Sequence, residues 1–217
     1  MHRCDLHIHT RYSPDSRSSL ESIAARCKQA GLTCIAITDH NAIEGALRLK
    51  AFAPFRVIVG EEIMSSGGEI IGLYLKERIP PGLSPCDTVA AIRAQGGLVH
   101  IPHPFDTRRS SLGKGHALED IAHQADILET FNAHCLRQRW NDDAAAFATK
   151  HGLVPAAVSD AHAARELGVT YMELPDFEDT PQGLLTALRF AKLVTKRPSP
   201  LLRLAPAWTR LRRLVGL

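Results

Sequence analysis

Five apolar stretches of the chain each end in histidine, aspartate or glutamate, and this repeated pattern constrains the fold more than any other feature. Amphipathic stretches of helical length separate the apolar ones, and three of them stop at glycine, a common residue after a helix C-terminus. Alternating strand and helix signals predict an α/β fold with a mainly parallel sheet. Because parallel strands end at one rim, the polar residues are expected to meet there. They are His7 and His9, Asp39 and His40, Glu62, His103, and Asp160 with His162.

The periodicity predicts seven main strands, at residues 3–9, 34–38, 56–64, 98–101, 127–131, 154–158 and 169–174. An extra strand at residues 69–75 is expected to form a hairpin with the strand before it, through the turn at residues 65–68. Helices are predicted at residues 19–30, 42–52, 85–95, 117–124, 137–151 and 181–190. Seven strands with intervening helices favour a barrel, and an open doubly wound sheet is the alternative.

Composition narrows the class of protein. The 217 residues suit one domain, and 45% hydrophobic with 23% charged residues is ordinary for a soluble globular chain. No apolar run approaches the roughly 20 residues that span a bilayer, and the N-terminus lacks a signal-peptide core, so a cytoplasmic location is expected. The five cysteines show no C-x-x-C spacing, which argues against a disulfide framework or a zinc knot. Eleven histidines indicate metal or proton chemistry.

The first apolar stretch carries a histidine pair with chelating spacing. Strand alternation predicts that Asp5, His7 and His9 share one face while Leu6 and Ile8 share the other. A His-x-His pair on one face is a chelate for a transition metal. The alternative is a strand with two histidines that bond only to protein.

Two later stretches repeat this logic. Glu62 lies within an apolar strand, where a carboxylate is destabilising unless it is paired or bound to a metal. Asp160 and His162 again have the i, i+2 spacing of one strand face. A buried salt bridge for Glu62, and a turn aspartate with a surface histidine, are the alternatives.

Together these stretches resemble the PHP family, the polymerase and histidinol phosphatase domain, and residues 167–187 resemble the tail of its stand-alone phosphoesterase branch. The motifs that carry the resemblance run in order through residues 5–162. They are Asp5-Leu6-His7-Ile8-His9-Thr10, Ser13-Pro14-Asp15, Thr38-Asp39-His40, Gly60-Glu61-Glu62-Ile63, His103-Pro104, Glu129-Thr130-Phe131-Asn132 and Ser159-Asp160-Ala161-His162. The chain departs from the family pattern at Asn41, where an acidic residue is common, at Pro14, and at Pro102.

The resemblance implies a distorted (β/α)7 barrel with two or three Mn, Fe or Zn ions at the strand C-termini. It also implies hydrolysis of a phosphate ester by metal-activated hydroxide. Glu62 would bridge metals, Asp5 and Asp39 would orient ligating imidazoles, and Asp160 or His134 would protonate the leaving oxygen. The ligands carried over by position are His7, His9, Asp15, His40, Glu62, His103, His134, Asp160 and His162.

Substrate contacts are expected from the loop at residues 104–115, whose Arg108, Arg109 and Lys114 form a candidate phosphate clamp directly after His103. The alternative is a solvated basic loop. The expected substrate is a small phosphorylated metabolite, a nucleotide or a short oligonucleotide. Two rival functions are a metal-dependent amidohydrolase, whose barrel also opens with His-x-His, and a metal-binding scaffold without catalysis.

The C-terminal segment differs in charge from the rest of the chain. Residues 196–217 contain six basic and no acidic residues, so residues 1–195, the predicted barrel, carry a net charge of −3 within a total of +3. Trp208, Leu211, Leu214 and Val215 fall near one helical face, opposite arginines. Such a segment packs on its own barrel, mediates self-association, or binds an anionic membrane or nucleic acid.

Overall fold

The computed structural model describes residues 1–113 and 116–197. Lys114 of the predicted phosphate clamp and nearly all of the basic C-terminal segment lie outside the described residues. The division of the chain after residue 195 therefore stays a prediction. None of the helices in the described ranges has the length and apolar character needed to cross a membrane.

Nine strands and six α-helices make up the described fold. The strands are β1 (His2–Asp5), β2 (Cys34–Ile37), β3 (Arg56–Ser65), β4 (Gly68–Leu73), β5 (Leu98–Ile101), β6 (Ile127–Asn132), β7 (Val154–Val158), β8 (Tyr171–Leu174) and β9 (Lys192–Val194). The helices are α1 (Leu20–Ala30), α2 (Glu44–Lys50), α3 (Pro85–Ala94), α4 (Ala117–Ala122), α5 (Gln138–His151) and α6 (Pro181–Leu188).

Local sequence signals set several helix ends. The side chains of Ser19, Ser84 and Thr180 accept hydrogen bonds from backbone N–H groups in the first turns of α1, α3 and α6. Gly31 and Gly152 follow α1 and α5 with φ of 70° and 66°, a left-handed conformation that glycine adopts without strain. These local signals explain why the predicted ends of α1, α3, α5 and α6 lie close to the observed ones.

The strands form one sheet in the order β7-β6-β5-β4-β3-β2-β1-β8-β9. Beyond β1 and β7 the chain continues the pairing: Ile8 forms a parallel bridge with Ala161, and the N–H of His9 donates to the Ala161 carbonyl at 2.9 Å. This bridge brings the two ends of the parallel region together, so the sheet is nearly closed. The predicted α/β barrel is confirmed; the described sheet has nine strands, however, and seven βα repeats are not confirmed.

The hairpin of β3 and β4 interrupts the parallel arrangement, as predicted from its turn. Glu62 pairs with Ile71 and Met64 pairs with Glu69 across this antiparallel ladder. Since side chains alternate along β4, Glu69 and Ile71 lie on the same face, which is also the face of Glu62. The hairpin thus adds a second carboxylate beside the first.

The start of the chain differs from the predicted alternation. Regular β1 ends at Asp5, and both Cys4 and Leu6 pack in the barrel interior, while Ile8 packs in the outer layer under the helices. The predicted common face for Leu6 and Ile8 is therefore wrong, because the regular alternation of the strand ends between these two residues.

Candidate metal centre

Histidine and carboxylate side chains converge at the C-terminal rim of the parallel strands. They form four overlapping groups, and within each group the donor atoms lie within 4.8 Å of one another. The members are His7, His9, Asp15, His40, Glu62, Glu69, His103, Asp160 and His162. Every predicted ligand except His134 is in this set, and Glu69 is an addition to it.

His7 and His9 point ring nitrogens at each other, with 3.0 Å between their Nε2 atoms. Nδ1 of His7 lies 2.6 Å from a Glu129 oxygen, and Nδ1 of His9 lies 3.0 Å from the Ser13 hydroxyl, which itself donates to Asp39. These partners place a ring hydrogen on Nδ1 of each histidine, so both Nε2 atoms face a shared proton or a metal ion. Burial opposes protonation of His7, but Asp160, Glu129 and Glu62 raise its pKa well above the usual value, so a proton balances these carboxylates when no metal ion is bound.

Asp160 supplies a carboxylate to the same point. Its buried Oδ1 forms no hydrogen bond with any described residue, yet it lies 3.5 Å from Nε2 of His7 and 3.4 Å from Nε2 of His9. Burial alone would raise the pKa of Asp160, but Arg109 and His7 hold it well below its usual value. Burial also lowers the pKa of His9 to about 3, so this imidazole stays neutral and available as a ligand.

Glu62 lies at the centre of the cluster and faces two sides. Its Oε2 is 3.3 Å from Nε2 of His7, 3.4 Å from Nε2 of His9 and 3.1 Å from Nδ1 of His40. Its Oε1 is 3.2 Å from Nε2 of His103. Burial opposes ionisation, but the histidines hold the pKa of Glu62 well below its usual range. The two oxygens of this ionised carboxylate thus face different donor groups; the bridging role that the resemblance implies stays a prediction.

A third group forms around Asp15. Its Oδ2 lies 3.3 Å from Nε2 of His40 and 3.3 Å from Nε2 of His162. Nδ1 of His162 is 2.8 Å from the Asp160 carbonyl oxygen, so the ring hydrogen is on Nδ1 and Nε2 carries the lone pair. The departure at Pro14 therefore does not displace Asp15 from the cluster.

Sequence reasoning missed Glu69. Its carboxylate oxygens lie 3.9 Å from Nδ1 of His40 and 3.8 Å from Nε2 of His103, and only 7% of the residue is exposed. Burial and the neighbouring Glu62 raise the pKa of Glu69. The sequence signal that could have found Glu69 is the register of the predicted hairpin. Glu69 lies two residues before Ile71, which pairs with Glu62 across the two strands.

Glu129, which the sequence marked only as part of a motif, organises one side of the site. One carboxylate oxygen is 2.6 Å from Nδ1 of His7. The other accepts the backbone N–H of His103 and the side-chain amide of Asn132, each at 2.8 Å. Carboxylates that hold the far nitrogen of a ligating histidine fix its tautomer and direction.

The predicted orienting roles of Asp39 and Asp5 have different outcomes. Asp39 accepts hydrogen bonds from Thr10 and from the Ser13 hydroxyl, and through Ser13 it acts on the ring of His9. Asp5 instead accepts the backbone N–H of Ser159 at 3.1 Å and bonds to no imidazole among the described residues. Burial raises the pKa of Asp5 to about 7, which fits a structural carboxyl group beneath the site.

His134 belongs to none of the four donor groups. Its Nε2 lies 3.1 Å from Glu166, whose second oxygen accepts the backbone N–H groups of His162 and Ala163, each at 2.8 Å. The His134 ring is 5.6 Å from the His162 ring, centroid to centroid. The structure thus places His134 beside the cluster, held by a carboxylate that sequence reasoning missed.

Two of the donor residues have unusual backbone conformations. His103 has φ of 26° and Asp160 has φ of 53°, both in the left-handed region that residues with a Cβ rarely adopt. The backbone N–H of His103 is held by Glu129, and Asp160 is held by Arg109 and Asn132. Surrounding hydrogen bonds thus maintain conformations that direct both side chains into the cluster.

Of the two clamp residues that the structure describes, Arg109 reaches the site. Its guanidinium donates to Oδ2 of Asp160, and a quarter of the side chain is exposed. Arg108 is exposed, and its backbone N–H donates to Asp106. Arg109 therefore borders both the donor cluster and solvent.

The hairpin holds the loop that carries Arg109. The N–H of Glu69 donates to the Ser110 carbonyl at 2.7 Å, and the Ser111 hydroxyl donates to the His103 carbonyl at 2.8 Å. Gly68 has φ of 140°, and a Cβ there would lie 2.8 Å from the backbone nitrogen of Leu112. Glycine is thus needed where the hairpin meets this loop.

Glu129→Gln is expected to weaken Mn binding roughly 10–100-fold, because a neutral amide holds His7 less well than a carboxylate. Isothermal titration with Mn²⁺ measures the affinity. The control is Glu119→Gln, which changes an exposed carboxylate that pairs with Lys150. Equal affinity in Glu129→Gln and wild type would show that Glu129 does not orient a ligand.

The barrel and its histidine–carboxylate cluster together define a class, the metal-dependent hydrolases. The PHP domain model matches residues 5–71, and the PHP-associated model PHP_C matches residues 138–193. The uncharacterized protein MJ0417 of Methanocaldococcus jannaschii is 33% identical over 204 residues, which cover 93% of this chain and 82% of that protein. MJ1587 of the same organism is 41% identical over 145 residues, covering 61% of this chain and 82% of that protein. The chain belongs to the PHP domain family.

A solved structure shows the same fold. It is a two-domain protein from Bacteroides vulgatus that contains a predicted PHP-like metal-dependent phosphoesterase, with a TM-score of 0.70 and 17% sequence identity. The alignment covers 89% of this chain and 64% of that chain. At this identity the likeness shows the fold alone.

Proposed function

We propose that this chain is a phosphoesterase that hydrolyses a phosphate ester with two or three divalent metal ions held in the cluster. The observation that carries the proposal is the convergence of Nε2 of His7, Nε2 of His9 and an unbonded, ionised carboxylate oxygen of Asp160 beside Glu62. Imidazole and carboxylate donors suit Mn, Fe and Zn.

The donor groups divide the ligands among the ions. His7, His9 and Asp160 would hold one ion, and Asp15, His40 and His162 another. His103 and Glu69, which lie 3.8 Å apart, would hold a further ion, and Glu62 would be shared between ions. When bound, such ions neutralise phosphoryl oxygens, activate water as a nucleophile and stabilise the departing alkoxide.

The chain's own residues supply binding and proton transfer. Arg109 would exchange its hydrogen bond to Asp160 for one to a phosphoryl oxygen, because the guanidinium group matches phosphate geometry. Asp160 would then act as a metal ligand. Asp160 serves as a ligand, so protonation of the leaving oxygen is assigned to His134, which Glu166 holds beside the cluster. The proposed substrate is a small phosphorylated metabolite, a nucleotide or a short oligonucleotide, because the same reaction hydrolyses a phosphate ester in all three.

Arg109→Gln is expected to raise KM roughly 10–100-fold, because a charge-assisted hydrogen bond to substrate is lost. Steady-state kinetics measure this KM with the substrate that the wild-type enzyme hydrolyses fastest. Arg108→Gln removes a neighbouring charge that faces solvent and should leave KM unchanged. A similar rise in both variants would instead indicate a general electrostatic effect of the basic loop.

The test of the proposed function is phosphate release by protein loaded with Mn, Fe or Zn. The panel contains p-nitrophenyl phosphate, its bis-ester, nucleotides, histidinol phosphate and short 5′-phosphorylated oligonucleotides. Metal-dependent turnover that is lost in His9→Ala and kept in His123→Ala, which alters an exposed histidine away from the cluster, supports a phosphoesterase.

The same panel separates the alternatives. Stoichiometric metal binding without phosphate release from any substrate would refute the phosphoesterase. Release of an amine from amide substrates would then indicate an amidohydrolase. Metal binding without either activity would indicate a scaffold.

A further inference from the structure

His100 is a fully buried histidine that belongs to none of the four donor groups. It lies in β5, where it pairs with Ile71 of β4 and Ile127 of β6. Leu98, on the same face of β5, packs with Ile71 and Ile127 in the barrel interior, whereas Val99 packs in the outer layer. His100 is therefore a polar side chain in an apolar interior, which is destabilising unless the ring finds a hydrogen-bond partner.

The polar neighbour of His100 is Glu129. Nε2 of His100 lies 3.5 Å from Oε1 of this carboxylate. Neither ring nitrogen forms a hydrogen bond with any other residue in the ranges 1–113 and 116–197. Burial lowers the pKa of His100 to about 4, so the ring is neutral and carries a single hydrogen. On Nε2 this hydrogen faces a carboxylate, whereas on Nδ1 it would face no acceptor in the described part of the chain.

Glu129 has a place for one more donor. A carboxylate offers about four lone-pair directions, two on each oxygen. Oε2 of Glu129 accepts two N–H groups, from the backbone of His103 and the side chain of Asn132, each at 2.8 Å. Oε1 is 2.6 Å from Nδ1 of His7, so its second place remains for Nε2 of His100.

The charge of Glu129 makes this contact important for the metal centre. Burial opposes ionisation of Glu129, but His7 and, to a smaller degree, His100 lower its pKa below the usual value. A carboxylate that holds the far nitrogen of a ligating histidine must keep both its charge and its direction. A donor on the interior side would hold Glu129 against His7.

We propose that His100 is a positioning residue, whose Nε2–H donates to Oε1 of Glu129 and fixes the carboxylate that directs His7 toward a metal ion. The 3.5 Å contact becomes an ordinary hydrogen bond after a shift of about half an ångström. Because His100 lies outside the donor groups, it acts only through Glu129. The inference rests on the proposed function through metal binding by His7, and it does not require hydrolysis of a phosphate ester.

The position of the ring hydrogen tests the contact directly. Long-range ¹H–¹⁵N NMR spectra of wild-type protein, metal-free and loaded with Zn²⁺, distinguish the two neutral forms of each imidazole. The signals of His100 are those that disappear in His100→Gln. The expected result is a hydrogen on Nε2. A hydrogen on Nδ1, or a doubly protonated ring at pH 7, overturns the proposal.

Two variants of similar size separate positioning from packing. His100→Met removes the donor, and His100→Gln replaces Nε2 with an amide nitrogen at a similar distance from the backbone. His100→Met should weaken Mn²⁺ binding roughly 3–10-fold, less than loss of a direct partner of a ligand, and His100→Gln should restore it. Isothermal titration measures the affinity, and the absorption spectrum of bound Co²⁺ reports the ligand geometry. Wild-type affinity in His100→Met, or equal weakening in both variants, overturns the proposal.

A double-mutant cycle tests whether Glu129 carries the effect. In the Glu129→Gln background, His100→Met should change Mn²⁺ affinity by less than about twofold, because two changes that act through one contact are not additive. The same loss in both backgrounds would show that His100 acts by another route. Absence of metal binding by wild type would refute the proposed function, whereas the ring hydrogen in metal-free protein would still decide whether His100 holds Glu129.

Discussion

Glu62→Gln is expected to lower the bound metal by at least one ion per chain and to reduce turnover by about 10²-fold or more. This exceeds the usual loss of activity when a residue that only hydrogen-bonds to a metal ligand is replaced. The carboxylate faces His7, His9 and His40 with one oxygen and His103 with the other. A glutamine keeps the shape but loses the negative charge and one acceptor, so it cannot bridge two cations. Metal analysis of gel-filtered protein and phosphate release measure the two effects.

Glu61→Gln is the matched control for this change. Glu61 is also buried, but its carboxylate accepts the N–H of Ile79 at 2.9 Å and lies near Arg78, away from the cluster. Burial raises the pKa of Glu61 to about 7, so a neutral amide resembles its protonated form. Metal content should be unchanged in Glu61→Gln. Equal metal loss in both variants would show that the effect comes from disturbing β3 and not from a bridging ligand.

Removal of metal is expected to destabilise the fold strongly. Each ion at about 1,000 times its dissociation constant adds about 4 kcal/mol to the free energy of unfolding. In a chain of this size each kcal/mol raises Tm by roughly 2–4 °C, so one ion accounts for roughly 8–16 °C. Thermal unfolding with saturating Mn²⁺ and after exhaustive chelation measures the difference.

The physical reason lies in the buried donors. Glu62 and Asp160 stay ionised, and without metal only protons on histidines such as His7 and His40, whose pKa values are raised, balance their charge. Divalent ions take over this role when they bind. Glu62→Gln should show a smaller Tm rise on adding Mn²⁺ than wild type. The same Tm with and without metal in wild type would mean that the cluster binds no ion tightly.

The rim location of the cluster was predictable, because it follows from topology. In a parallel sheet every strand ends at the same rim, so polar residues after apolar runs, such as His40 and His103, must meet. The exact direction of each side chain was not predictable where regular structure stops. Ile8 shows this, since it packs in a different cluster from Leu6 and the common face expected for the two residues disappears.

Residues that reach the site from antiparallel or irregular segments escaped the sequence pattern. Glu69 follows a turn and begins a strand, so no apolar run precedes it, and only the hairpin register brings it beside Glu62. Glu166 lies in a short 3₁₀ turn after β7 and acts through backbone N–H groups and His134. Contacts that depend on loop geometry leave no periodic signal in the sequence.

The left-handed backbone at His103 and Asp160 limits how this protein can be made more heat-resistant. Such strain is relieved when the residue is replaced by glycine, which adopts these φ values freely. At these two positions that substitution would delete an imidazole and a carboxylate from the cluster. Stabilising changes should therefore be sought on the helical layer and at the exposed phenylalanines, because relaxing the rim would remove the donors that the strain holds in place.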